Sequence, residues 1–169
     1  MQGLGMLKWL WVALLVIVLD LASKAIVSES LILNQAVPVF PGFNLTLMHN
    51  TGAAFSFLSD ASGWQRWFFT LVALAVSSGI ILWMKRLAAT QVWLAVALGM
   101  ILGGALGNVY DRITLGYVVD FIQVYYDRWY WPAFNVADSA ISVGAVILVI
   151  DSLRSHRHHK LESTDSNSV

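Results

Sequence analysis

Val92-Trp-Leu-Ala-Val-Ala-Leu-Gly-Met-Ile-Leu-Gly-Gly-Ala-Leu-Gly-Asn-Val109 is a long apolar run without a charged residue. A helix needs about 20 such residues to cross the ~30 Å hydrocarbon core of a bilayer. Comparable runs lie at about 9–27, 67–84 and 134–152, so the chain reads as an all-α membrane protein with four transmembrane helices. Inside the quoted run, Gly99, Gly103 and Gly107 recur every fourth position and form a small-residue face suited to close helix packing. A second stripe, Gly104, Asn108, Asp111 and Arg112, is polar.

Composition agrees with this class. The chain of 169 residues is 58% hydrophobic and 12% charged, well beyond a soluble average. Ten basic residues balance ten acidic ones, which gives no reason to expect a nucleic-acid partner. Eight Trp and five Tyr suit anchoring at bilayer interfaces. The absence of Cys excludes disulfides, thiolate metal sites and a cysteine nucleophile.

Basic residues set the expected orientation. Lys8 precedes the first span, Lys85 and Arg86 separate the second and third, and Arg154, Arg157 and Lys160 follow the fourth. The positive-inside rule then places both termini in the cytoplasm and turns 28–66 and 110–133 outward. The first run also has the basic-then-apolar order of a signal peptide, but Asp20 and Lys24 after it make a poor cleavage site.

Within the first outer segment, Pro41-Gly42 marks a turn and Phe43, Leu45 and Leu47 alternate. That pattern predicts a small extracytoplasmic β-sheet resting on the membrane, with 53–58 as a partner strand. The second outer segment carries Tyr125, Tyr126, Trp129, Tyr130 and Trp131, expected as an interfacial loop or helix, with a mobile lid as the alternative. Residues 1–154 read as a single membrane-embedded domain, and 155–169 as a disordered cytoplasmic tail.

Acidic side chains at membrane depth are costly and point to function. Asp120, in Val118-Val-Asp-Phe-Ile122, and Asp138, in Phe134-Asn-Val-Ala-Asp-Ser139, are flanked by apolar residues. Two carboxylates at one end of a bundle suit acid–base chemistry on water. Each has a plainer reading, Asp138 as a first-turn acid on the helix dipole and Asp120 as an interface carboxylate. Asn135, Asp138, Ser139 and Ser142 share a helical face. Asp20 and Lys24 form an i,i+4 pair in the favourable acid-first order, which reads first as a structural ion pair. Asn108, Asp111 and Arg112 read first as a hydrogen-bonded hub, with direct substrate contact as the alternative. The same charges also suit a small transporter or a structural subunit, although they gather toward one end and no internal repeat appears.

Five separated motifs then resemble one family, the bacterial lipoprotein signal peptidases or type II signal peptidases. They are Asp20-Leu-Ala-Ser-Lys24, Asn50-Thr-Gly-Ala-Ala-Phe-Ser56, Gly103-Gly-Ala-Leu-Gly-Asn-Val-Tyr-Asp-Arg112, Val118-Val-Asp-Phe-Ile122 and Phe134-Asn-Val-Ala-Asp-Ser139. The resemblance implies an intramembrane aspartyl endopeptidase of the bacterial inner membrane. It would cut prolipoprotein signal peptides just before a diacylglyceryl-modified cysteine, with the site near the periplasmic face. By motif position Asp120 and Asp138 are the catalytic pair. Asp20, Lys24, Asn50, Gly52, Asn108, Arg112, Asn135 and Ala137 line or support the site. The implied partners are prolipoproteins and membrane lipids, with peptide antibiotics of the globomycin type as inhibitors. No cofactor or metal is expected, since His49 is the one histidine outside the tail.

Overall fold

The computed structural model describes residues 5–52 and 63–165. A short 3₁₀ turn, Leu7–Trp9, leads into α1 (Leu10–Ser30). Strands β1 (Ala36–Phe40) and β2 (Phe43–Asn50) follow, then α2 (Trp64–Arg86) and α3 (Val92–Thr114). Strands β3 (Val118–Tyr126) and β4 (Trp129–Tyr130) precede α4 (Val136–Asp165). All four helices are long and apolar enough to cross a membrane.

The quoted glycine-rich run lies at the centre of the bundle, as α3 packs on α1, α2 and α4. A Cβ on Gly103 would lie 2.6 Å from the Ala13 carbonyl oxygen, and one on Gly99 would lie 3.1 Å from the Val12 Cβ. A Cβ on Gly104, one residue round the helix, would collide with the Ala137 carbonyl of α4. The small-residue face thus brings α1 against α3, and Gly104 does the same for α4. One apolar core joins Ala13, Met84, Leu94, Ala95, Leu98 and Leu102. Outward, α1, α2 and α4 expose Leu14, Leu15, Val18, Phe68, Leu71, Val143, Val146 and Val149. Exposed apolar surface on this scale is lipid-facing surface.

The strands form one antiparallel sheet in the order β1-β2-β3-β4, at the bundle end where α1 and α3 finish and α2 and α4 begin. Gly42 turns β1 into β2 with φ of 90°, a backbone state that only glycine adopts without strain. Leu47, Val119 and Phe121 seat the sheet on Val27 of α1. The expected partner strand at 53–58 falls outside the described residues. Among the described residues β2 pairs with β1 on one side and on the other with β3, from the segment expected as an interfacial loop or helix. Its alternation was hidden because Val118, Val119, Asp120 and Phe121 are all buried. In the β3–β4 hairpin Tyr125 stacks on Tyr130 with centroids 5.1 Å apart, while Tyr126, Trp129 and Trp131 project outward.

Helix boundaries also move. Helix α3 continues past Val109 to Thr114, so Asp111 and Arg112 belong to its last turn. Helix α4 runs on to Asp165 rather than giving way at 155 to an irregular tail. Arg, Lys, Leu and Glu propagate a helix already nucleated in the membrane at little cost.

Gly107 faces a different neighbour, because a Cβ there would lie 2.6 Å from the Asp20 Oδ2 atom. Gly107→Ala should lower the thermal unfolding midpoint in detergent by overpacking, worth about 1–3 kcal/mol. Gly79→Ala meets open space on α2 and should be neutral or slightly stabilising. Equal midpoints for the two variants would contradict this account of the helix interface.

Candidate active site

Local chain geometry brings Asp120 and Asp138 to one place. Gly116, with φ of 90°, ends α3, and its N–H closes on the Asp111 carbonyl at 3.2 Å. The chain then doubles back as β3, whose Val119 N–H donates to Asp111 Oδ2 at 3.0 Å. Beyond β4 the segment before α4 returns along β3 through one isolated bridge, with Phe134 N–H donating to the Ile122 carbonyl at 3.0 Å. Asn135 is thereby laid beside Asp120, and α4 starts immediately after it.

Asn135 caps α4. Its Oδ1 accepts the Asp138 N–H at 2.9 Å, and Asp138 Oδ2 reaches back to the Asn135 N–H at 3.4 Å. This is a capping box built from Asn and Asp, which satisfies donors that a helix start leaves open. Ala137 N–H, another such donor, goes to Asp20 Oδ1 at 2.9 Å. The first-turn reading of Asp138 is therefore correct as geometry, and the same turn points its carboxylate into a cavity.

That cavity has a volume of about 770 Å³ and is lined by Asp120 and Asp138 together with Met48, His49, Asn50, Thr51, Trp131, Pro132, Ala133, Phe134, Ser139, Ser142 and Val143. Asp120 is almost fully buried, and Asp138 is half-buried. Asp120 Oδ2 accepts from Asn50 Nδ2 at 2.9 Å, and its Oδ1 accepts from Asn135 Nδ2 at 2.7 Å. Asp138 Oδ1 accepts from Asn108 Nδ2 at 2.8 Å. Burial raises the Asp120 carboxyl to about 7; the Asn50 hydrogen bond opposes this and the nearby Asp138 charge adds to it.

Beneath these carboxylates lies a buried charge cluster. Lys24 Nζ lies 2.7 Å from Asp20 Oδ2 and 2.9 Å from Asp111 Oδ2, and it donates to Asn108 Oδ1 at 3.0 Å. An ammonium has three protons, and three acceptors surround this one. The ion pair expected between Asp20 and Lys24 is thus a triad with Asp111.

All ten residues singled out from the sequence fall in this region. Asp20, Lys24, Asn50, Asn108, Asn135, Asp120 and Asp138 join in one hydrogen-bonded and ionic network. Ala137 contributes its backbone N–H. Gly52, with φ of 100°, donates its N–H to Asn50 Oδ1 at 2.9 Å. Arg112 lies over the Phe69 ring, 5.6 Å from its centroid, and within electrostatic reach of Asp111, Asp120 and Asp138. Ala53–Ser56 of the second motif lie outside the described residues. Sequence reading gave no place at the site to His49, and placed Asp111 there only as a member of the hub with Asn108 and Arg112. Asp111 was visible in the polar stripe of α3, whereas the stacking of His49 on Tyr117, at 3.9 Å between centroids, depends on strand pairing alone.

Four membrane-length helices with two carboxylates opening onto one cavity at the bundle end are an arrangement that suits a membrane-embedded hydrolase. The family model described as signal peptidase (SPase) II matches residues 12–154. A lipoprotein signal peptidase of Pseudomonas aeruginosa is 57% identical over 155 residues, covering 90% of this chain and 92% of that one. Its counterpart from Pseudomonas fluorescens Pf0-1 is 57% identical, with 90% and 91% covered. A solved bacterial membrane enzyme, obtained by the in meso method at 2.3 Å, superposes with a TM-score of 0.79 at 28% identity, covering 92% of this chain and 94% of that one. The chain belongs to the signal peptidase II family and is a protease of the bacterial membrane. The transporter and structural-subunit readings are set aside.

The raised Asp120 carboxyl has a consequence for stability. An unfolded chain releases this proton near 3.8, whereas the folded chain keeps it to about 7. Between those values the folded state binds the extra proton, so this group's contribution to stability falls as pH rises and then levels off. Asp120→Asn should therefore gain unfolding temperature relative to the parent as pH rises from about 4 to about 8. A gap independent of pH would contradict the assignment.

Proposed function

We propose that this enzyme removes signal peptides from diacylglyceryl-modified prolipoproteins, cutting immediately before the lipidated cysteine, with Asp120 and Asp138 activating the attacking water. The observation that carries the mechanism is that both carboxylates open onto one cavity while joined through a single residue, Asn135. Family membership and the naming of the relatives as lipoprotein signal peptidases support the substrate class.

The two carboxylates differ in surroundings, and the difference assigns their roles. Asp120 is the more buried and holds its proton to about 7. It starts as the acid and donates to the scissile carbonyl oxygen. Asp138, more open to the cavity, starts ionised and takes a proton from water as the oxygen attacks the carbonyl carbon. In the tetrahedral intermediate the former carbonyl oxygen carries the proton from Asp120. Collapse returns that proton to Asp120 while Asp138 passes its own to the leaving nitrogen, which restores the starting state. Arg112 has guanidinium donors beyond its long contact with the Asn108 carbonyl, at 3.4 Å. They are suited to the backbone carbonyls of a bound peptide.

The cavity mixes apolar walls, including Met48, Trp131, Phe134 and Val143, with the polar groups of the dyad. This composition suits a peptide segment that emerges from a membrane helix beside acyl chains. Cyclic peptides of the globomycin type would compete for the same space. Residues 1–154 act as one membrane-embedded domain. The basic residues at the bundle end away from the sheet, Lys8, Lys85, Arg86 and Arg154, orient both termini to the cytoplasm and the cavity to the periplasmic side.

Asp120→Asn and Asp138→Asn should each lower cleavage of a lipid-modified prolipoprotein by at least about a thousandfold, with the helical content retained. Parent activity should fall as pH rises through about 7, where Asp120 loses the proton it donates. Substantial turnover by either variant removes that residue from catalysis, and a flat profile above neutrality removes Asp120 from the acid role.

A further inference from the structure

Three asparagine side chains face the two carboxylates, and an amide side chain has two possible orientations. Turned one way it offers Nδ2 protons to a carboxylate, and turned the other it opposes oxygen to oxygen. In each case the orientation is set by a donor on the far side. The Asn50 oxygen accepts the Gly52 N–H, the Asn135 oxygen accepts the Asp138 N–H, and the Asn108 oxygen accepts the Lys24 ammonium. The first two donors belong to the local backbone. The third is a side chain 84 residues away in sequence.

We propose that Lys24 is a positioning residue for catalysis, whose ammonium fixes the Asn108 amide so that Nδ2 must face Asp138 and hold its carboxylate as an acceptor of the water proton. This inference rests on the dyad reading above and adds a directional link beneath it. An ammonium is a donor with no acceptor capacity, so a flipped Asn108 would set its NH₂ against the Lys24 protons. Lys24 is 3% exposed and Asn108 6%, so water is not at hand to rescue the flipped state. Asn108 Oδ1 also accepts from Asn135 Nδ2 at 3.1 Å. The same oxygen thus meets Asn135, whose Nδ2 reaches Asp120 Oδ1. The buried cation thereby directs the hydrogen bond that reaches Asp138, and the oxygen it holds adds an acceptor for Asn135, which the Asp138 N–H already orients.

Asp20 and Asp111 have a separate task in this scheme. They hold the ammonium in place and balance its charge, and each also anchors an element of the site. Asp20 anchors the start of α4 through Ala137, and Asp111 anchors β3 through Val119. The charged groups within reach of Asp138 are Arg112 of α3 and Asp120 of β3, and behind Asn108 lies the cluster of Lys24 with Asp20 and Asp111. Of the two cations, Lys24 bonds an amide that contacts the Asp138 carboxylate.

The test measures kcat and KM separately, across pH, on the purified full-length enzyme in detergent with a diacylglyceryl-modified prolipoprotein. Lys24→Met, of similar shape but without protons to donate, should lower kcat by about a hundredfold, the usual effect of losing one preorganised donor. KM should stay within about threefold, since the cavity walls are untouched. Lys24→Met leaves two buried acids without a partner and can fail to fold, so a second variant decides the matter. Asn108→Asp keeps an oxygen for Lys24 but presents a second oxygen to Asp138. It should fold, lose activity near neutral pH by at least about a hundredfold, and shift its optimum to lower pH, where a protonated Asp at 108 again donates. A merely structural Asn108 predicts near-parental kcat and an unmoved profile for Asn108→Asp, and that result would overturn the proposal. So would a folded Lys24→Met with parental kcat. Substantial activity in Asp138→Asn would instead overturn the dyad reading itself.

Discussion

The ammonium of Lys24 lies where four elements of the fold must agree. Its protons go to Asp20 on its own helix and to Asp111 and Asn108 on α3. Through Asp20 it is tied to the first turn of α4, and through Asp111 to the start of β3. A charge this deeply buried persists only when each of its donors has a partner. The cluster therefore fixes the relative placement of α1, α3, α4 and the sheet more sharply than apolar packing does, since packing tolerates small sliding. The positive end of the α4 dipole, directed at Asp20, offsets part of the second acid's charge.

The glycines of α3 make this cluster possible. Gly99 and Gly103 let α1 approach closely, Gly104 does so for α4, and Gly107 leaves room for the Asp20 carboxylate. Without the hydrophobic effect to drive helices together inside lipid, such close approach is a main source of association. Small residues and buried charge are thus two parts of one design. The first sets the helix separation, and the second uses that separation to hold a polar network in register.

Above the cluster the sheet completes the site from the other side. Asp120 reaches the cavity because β3 is held between β2, which carries Asn50, and the segment through Phe134 that leads to Asn135. The dyad is therefore drawn from two elements of different kinds, an acid on a strand and an acid on a helix start. Their environments differ accordingly, with Asp120 enclosed and Asp138 open to the cavity. That asymmetry is what an acid and a base of the same chemical type require.

Much of this protein is set by residue pattern alone. Apolar runs of bilayer length dictate four helices because lipid offers backbone groups no other partner. The fourfold spacing of glycines gives the α1–α3 contact, and the stripes at helical spacing give the inward-facing polar residues, because both follow from a period intrinsic to one helix. The strand β3 was not legible, since burial on both faces erases the alternation by which strands are read. The helical course of 155–165 was also missed, as polarity alone does not end a helix. Only the tertiary structure could bring Asp120 beside Asp138, join Asp111 to the Asp20–Lys24 pair, and orient the three amides. Hydrogen-bond direction across elements far apart in sequence depends on which donor lies behind each oxygen, and that is decided only when the elements pack.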